Sequence, residues 1–306
     1  GGAMLSSTLE HPASMSAMKK WAKNTQRDHI IVEHNNETGS VDEQAYIKKL
    51  TSDVRIVSVV HTSPVTGMTV DLEKITKEIR NVMPDCIIIV DGIQHSSHGA
   101  IDVQKYDIDG YVVSPYKMFS RHGYGVAWAS DRLCTLNKEQ LVDGPSQNWE
   151  LGTRDAGSYA TFSDVVDYLD WLGSNFTDSE NIRERLKASS LAIKSHEQEL
   201  VNLVLNGTED ITGLIGNKEI QIIGTSDSKF REGVVSFFQK NKPSSIIVEE
   251  LRQRKIRVHI RKDDHYCGNI LRPLNQKDCI RFSICHYNSK AEVVEFLRAI
   301  NEVSAN

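Results

Sequence analysis

The chain has 306 residues, 39% of them hydrophobic and 25% charged, with a formal net charge of -5. That is the profile of an ordinary globular protein, with one large domain and an appendage or two modest domains. No Lys/Arg block, secretory signal or apolar run near the ~20 residues of a membrane-spanning helix is visible, so neither a nucleic-acid partner nor a membrane span is expected. The five cysteines are odd in number and form no CxxC pair, which argues against a disulfide framework or a zinc site and suits a reducing, cytoplasmic setting. The opening Gly1-Gly2-Ala3-Met4 reads as a cloning scar outside the fold.

Taken in chain order, residues 12–27 read as a helix, 29–33 as a strand, 42–50 as a helix and 54–61 as a strand. Asp71 and Glu73 are N-cap and first-turn signals for a helix ending before Pro84. The apolar run CIIIVD, 86–91, is a buried strand closed by a carboxylate, and 111–114 and 126–129 are further strands. This alternation predicts an α/β fold, a mainly parallel sheet sandwiched by helices. Ligands then sit at the carboxyl ends of the strands. Four of those ends carry polar groups: His34-Asn35, His61-Thr62-Ser63, Asp91 to Gln94 and Ser114 to Lys117. After Trp149 the pattern changes. Long helices are predicted over 159–172 and 178–205, and the second bridges out of the sheet domain. Strand and helix runs at 220–223, 234–239, 244–254, 256–260, 279–285 and from 289 to about 303 then suggest a small C-terminal α+β domain. The resulting division is 1–175, 176–205 for the bridge, and 206–306.

Alone, Asp91 reads as a turn or cap residue and Lys117 as a surface lysine. Together with their surroundings they say more. The string VDGIQHSSHGAIDVQKYDIDGYVVSPYKMFSRHGYGVAW, about forty residues, closely resembles the signature of the class V aminotransferase and cysteine desulfurase family of fold type I pyridoxal-phosphate enzymes. Such a site needs a lysine to form the imine, an acid to keep the pyridine nitrogen protonated, donors for the phosphate and a cation for the substrate carboxylate.

The resemblance implies a role for each matching residue. Lys117 would form the imine and shuttle the α-proton. Asp91 would pair with the pyridine nitrogen, Gln94 would hydrogen-bond the phenolic oxygen, and Ser114 would bind phosphate. Tyr116 stands where the family usually has His and keeps a hydroxyl donor for the phosphate. SPYK is similar to the desulfurase-like and epimerase-like branches. His11, in Glu10-His11-Pro12, would stack on the cofactor ring, against the plainer reading of a solvated histidine at a helix start. Glu150-Leu151-Gly152-Thr153 resembles an E-x-G-T element, which implies a homodimer in which Gly152 and Thr153 reach the partner's phosphate; the plainer reading is a helix cap. Arg261 would grip the substrate carboxylate in a bidentate fork. Arg281 reads as structural, and the His286-Tyr287-Asn288 turn as a cap for the last helix.

The resemblance implies an enzyme acting on an amino acid, with desulfurase-like carbon–sulfur cleavage as first expectation. Aminotransferase or epimerase chemistry is the alternative. In the sulfur-mobilising group a mobile cysteine follows the arginine by five residues; here Tyr266 holds that place and Cys267 follows. Cys267 is thus either the persulfide carrier, with an unidentified sulfur acceptor, or a small buried cysteine. Cys279 and Cys285 read as core. Pro64 replaces a common Asn and offers no side-chain donor. The family's glycine-rich phosphate turn has no counterpart ahead of His11. The N-terminal part of the large domain therefore reads as missing, and a catalytically incomplete fragment or binding subunit is the third expectation.

Overall fold

The computed structural model describes residues 2–305. In chain order the first unit contains β1 (Ala3–Ser7), α1 (Pro12–Asn24), β2 (His29–Val32), α2 (Glu43–Ile47), β3 (Val54–Val60), α3 (Leu72–Val82), β4 (Ile87–Asp91), β5 (Gly110–Val113) and β6 (Val126–Ala129). The strands form one sheet in the order β2-β1-β3-β4-β5-β6, parallel from β2 to β5 and closed by an antiparallel β6. Helices cover the apolar strands, as a parallel sheet requires. α3 shows how this arises. Asp71 caps its first turn by accepting from the Lys74 N–H, and Leu72, Ile75, Thr76 and Ile79, spaced for one helical face, are buried.

Ala3 and Met4, read from sequence as a scar, belong to the fold. They lie in β1, a strand buried along its whole length and paired on both sides. The sequence Ala-Met-Leu-Ser-Ser has neither β-branched enrichment nor alternation, so no strand signal shows. Gly1 lies outside the described residues.

α4 (Asp131–Cys134) leads to α5 (Ala156–Gly173) and α6 (Ile182–Asn206), which pack together closely. A Cβ at Gly173 would stand 2.0 Å from the Arg185 carbonyl oxygen, so the contact requires glycine. The second sheet contains β7 (Ile220–Ile222), β8 (Val234–Gln239), β9 (His259–Lys262) and β10 (Asp278–Ser283), in the antiparallel order β7-β8-β10-β9. α7 (Ser244–Gln253), α8 (Gly268–Leu271) and α9 (Lys290–Ala305) accompany it. Phe237, Phe282 and Phe296, with Leu200 and Val204 from α6, make a core separate from that of the first sheet.

Two sequence expectations shift here. The strand expected at 256–260 is β9, two to three residues later, because Ile256 and Val258 pack into the core from the preceding turn. The last helix is capped by Ser289 and Glu292, which exchange backbone N–H bonds in a capping box, and not by the His286-Tyr287-Asn288 turn.

Arg231 joins the two sheets. Its buried guanidinium donates to the carbonyls of Thr66, Val234, Ile223 and Thr225, and burial lowers its pKa to about 10. Gly67, beside it, has φ +74°, and a Cβ there would meet the Val234 carbonyl oxygen at 2.0 Å. Gly67→Ala is therefore expected to destabilise the fold by about 2 kcal/mol, read as a lower urea midpoint.

Candidate active site

The carboxyl ends of β3, β4 and β5 bring the sequence candidates together. His11, Thr62, Pro64, Asp91, Gln94, Ser114, Tyr116 and Lys117 all line a recess of about 100 Å³. It adjoins a cavity of about 640 Å³ that shares His11, Pro64, Gln94, Tyr116 and Lys117 and adds Arg261 and Arg281 from the second sheet and Cys267 and Cys285 from segments beside it. The volume is in the range that holds a cofactor-sized ligand. The fourth polar strand end does not join them. His34 and Asn35 line a different cavity, of about 760 Å³.

Lys117 lies in a short 3₁₀ turn, Pro115–Met118, directly after β5. Phe119 ends the turn with φ 69°, a left-handed conformation unusual for a phenylalanine. The Lys117 amine donates to Gln94 Oε1 at 2.9 Å. Burial, and next the Arg281 charge, push its pKa down to about 8, although Asp91 opposes them. Asp91 ends β4 and accepts the Ile93 N–H at 3.0 Å.

His11 caps α1, accepting the Ala13 N–H on Nδ1 at 3.2 Å. Its ring lies 5.7 Å from that of Tyr266, and burial lowers its pKa, leaving a neutral imidazole at the cavity wall. Tyr116 is exposed and stacks on His122 at 4.2 Å. Gly152 and Thr153 lie on an exposed segment before α5 and do not line either part of the site.

The neighbouring Glu10 is fully buried. It accepts from Ser58 Oγ and the Val60 N–H at 2.9 Å each and from Ser7 Oγ at 3.2 Å. Burial, and next the Asp91 charge, raise its pKa to about 7.

Two residues differ from their sequence readings, and a third takes one of the two readings left open for it. Arg281, read as structural, lines the main cavity beside Arg261, and neither guanidinium has a partner at Nε. Burial and then Arg261 lower the Arg281 pKa to about 10. Its Nη1 donates to the Pro64 carbonyl at 3.2 Å, so the residue that replaces the family's Asn still contributes a backbone acceptor. Cys285, read as core, lies just beyond β10, half-buried on the cavity wall, and burial raises its thiol to about 11. Cys267 is the N-cap of α8 and is 2% exposed within the first core, and burial raises its thiol pKa too.

Sequence reading missed a polar layer behind the recess. His98 Nδ1 lies 2.6 Å from Glu197 Oε2, with both side chains buried, and Glu197 comes from α6. Burial alone would hold the imidazole neutral, but Glu197 outweighs it and raises the pKa. Cys285 is close enough to make a three-ligand group with them. The 2.6 Å contact is nevertheless a hydrogen bond, shorter than the roughly 3.3 Å between two ligands of one tetrahedral ion. His95 pairs similarly with Glu232, at 2.5 Å, and stacks on His61 at 3.7 Å.

This strand-end lysine with an acid and a glutamine, in this order on this sheet, belongs to a known architecture. The family model "Aminotransferase class-V" matches residues 1–296. The chain belongs to the class V aminotransferase family. Among curated class V relatives, an aminotransferase-like protein, FGM3, of Gibberella zeae is 28% identical over 83% of this chain and 60% of its own length. A probable cysteine desulfurase of Treponema pallidum is 23% identical over 87% of this chain and 63% of its own. The chain thus spans less than two thirds of these relatives.

Solved structures give the same fold. The cysteine desulfurase CsdA of Escherichia coli superposes with a TM-score of 0.77 at 22% identity, covering 99% of this chain and 72% of that one. A cysteine desulfurase of Thermococcus onnurineus gives 0.81 at 20% identity, covering 100% and 73%. The expected fold type and family are both met.

Proposed function

We propose that the chain carries a pyridoxal-phosphate site and acts on an α-amino acid, by desulfurase-like carbon–sulfur cleavage. The observation that carries the reading is the Lys117 amine. It is held at about 8, is hydrogen-bonded to Gln94, and shares its cavity with two guanidiniums that have unpaired Nε atoms. The donor set fits the cofactor. An amine is available for its aldehyde, the Asp91 carboxylate for its ring nitrogen, Gln94 for its phenolic oxygen, and the hydroxyls of Ser114 and Tyr116 for its phosphate. When bound, the cofactor supplies an electron sink that acidifies the substrate Cα–H.

The chain's own residues do the rest. Lys117 Nζ, with a pKa near the working pH, holds and moves a proton efficiently. Arg261 and Arg281 orient the substrate carboxylate. Neutral His11 offers a flat ring to stack on. In this reading residues 1–175 hold the cofactor, 176–205 form the bridge and 206–306 bring the arginines. The reading includes a homodimer in which Gly152 and Thr153 meet the partner's phosphate. It is supported by their exposure alongside exposed Trp149 and Leu151.

Burial of Cys267 favours sulfur leaving as hydrosulfide by β-elimination, with pyruvate and ammonia as co-products and no persulfide on that residue, since a protonated core thiol is a poor nucleophile. Pyridoxal phosphate added to the chain should give a visible absorbance band, followed by sulfide release from L-cysteine that survives Cys267→Ala. No band would refute the site. Keto acid without sulfide would favour the aminotransferase reading, and a tenfold or greater loss in Cys267→Ala would restore the persulfide role. Arg281→Lys keeps the charge but loses the fork, so KM should rise about 10–100-fold with kcat little changed.

A further inference from the structure

α6 carries a carboxylate where its spacing calls for an apolar residue. Ile193, Leu200, Val201 and Val204 share the buried stripe with Glu197. A carboxylate in such a position costs several kcal/mol unless it is paired. The pairing continues beyond His98. His98 Nε2 lies 3.0 Å from Gln94 Nε2, and Gln94 Oε1 accepts from Lys117 Nζ at 2.9 Å. Three contacts, two buried and one partly buried, therefore connect α6 to Lys117.

The order of donors in this chain is fixed from one end. Burial raises the Glu197 pKa and the bond from His98 opposes that rise; in its carboxylate form Glu197 can only accept, so the proton of His98 sits on Nδ1 and leaves Nε2 bare. A bare Nε2 accepts from the amide nitrogen of Gln94, and the amide oxygen must then face Lys117. Were His98 protonated on Nε2 instead, two donors would meet at 3.0 Å, and the amide would turn to present its nitrogen to the lysine. The same clash resists a second proton on the ring, against the pull of Glu197.

We propose that Glu197 is a positioning residue for the Lys117 site, setting through His98 which end of the Gln94 amide meets the lysine amine. The amide nitrogen keeps one N–H free, and that N–H is the one the cofactor reading assigns to the phenolic oxygen. This last link rests on the proposed function; the orientation itself does not.

The test uses the full chain without cofactor, labelled with ¹⁵N-histidine. Ring-nitrogen shifts, assigned by loss of the signal in His98→Gln, should show Nδ1 protonated and Nε2 bare at neutral pH. In Glu197→Gln that preference should be lost. The pH profile of Lys117 acylation should also move down by up to about one unit, as the amine loses its fixed acceptor. Glu197→Asp should largely restore both. A wild-type His98 carrying its proton on Nε2 would overturn the proposal without any substitution. So would a Glu197→Gln protein whose tautomer and Lys117 profile match the wild type. Absence of the visible band with pyridoxal phosphate would refute the cofactor reading and leave these measurements intact.

Discussion

Lys117→Ala should abolish the visible absorbance that pyridoxal phosphate produces with the intact chain and lower turnover by about 10³-fold or more. The physical reason is that no other amine among the residues lining the two parts of the site can replace it. Lys117→Arg should fail equally, since a guanidinium restores the charge and not the nucleophile. The depressed pKa gives a second check. Capture of the cofactor requires the free amine, so the rate of band formation should rise with pH and level off above about 8. An unperturbed lysine would level off about two units higher. A rise that continues past pH 10 would show that burial and the Arg281 charge do not act on Lys117.

Glu10→Gln should stabilise the protein at alkaline pH. The Glu10 pKa is raised in the fold, to about 7 from 4.5, so the native chain keeps a proton that the unfolded chain releases. Stability therefore falls as pH rises from about 4.5 to about 7, by about 3 kcal/mol in all, and the loss is complete above that window. Glutamine has no proton to lose. Its oxygen can keep the bonds from the Val60 N–H and Ser7 Oγ, and its amide nitrogen can donate to Ser58 Oγ once that hydroxyl turns. Urea unfolding at pH 5 and pH 8 should show nearly equal midpoints at the lower pH and a clearly higher one for Glu10→Gln at the upper. Parallel behaviour at both would mean that Glu10 ionises freely inside the fold.

Asp91 and Lys117 were legible because each lies directly after an apolar strand, and parallel strands place their ends on one rim. Arg281 was not, because its burial within β10 makes it look like packing, and only the meeting of the two sheets shows it facing the cavity. Glu197 gives one local sign, a carboxylate on the apolar stripe of α6. Its partner His98 is 99 residues away, and no periodicity links them. Cys267 and Cys285 both line the cavity and differ in burial, which a residue count from Arg261 cannot reveal. β1 was lost for a different reason, since an interior strand with no β-branched residue and no alternation carries no pattern of its own.

Arg231 bears on how the molecule comes apart. Its two Nη atoms donate to carbonyls alone, one from the loop after β3 and three from the segment around β7 and β8, while Nε has no partner. If either sheet opened separately, a buried cation would lose acceptors while still shielded from water on its remaining side. Partial opening is thus penalised, and the two cores, which share no residues, should melt in a single calorimetric transition.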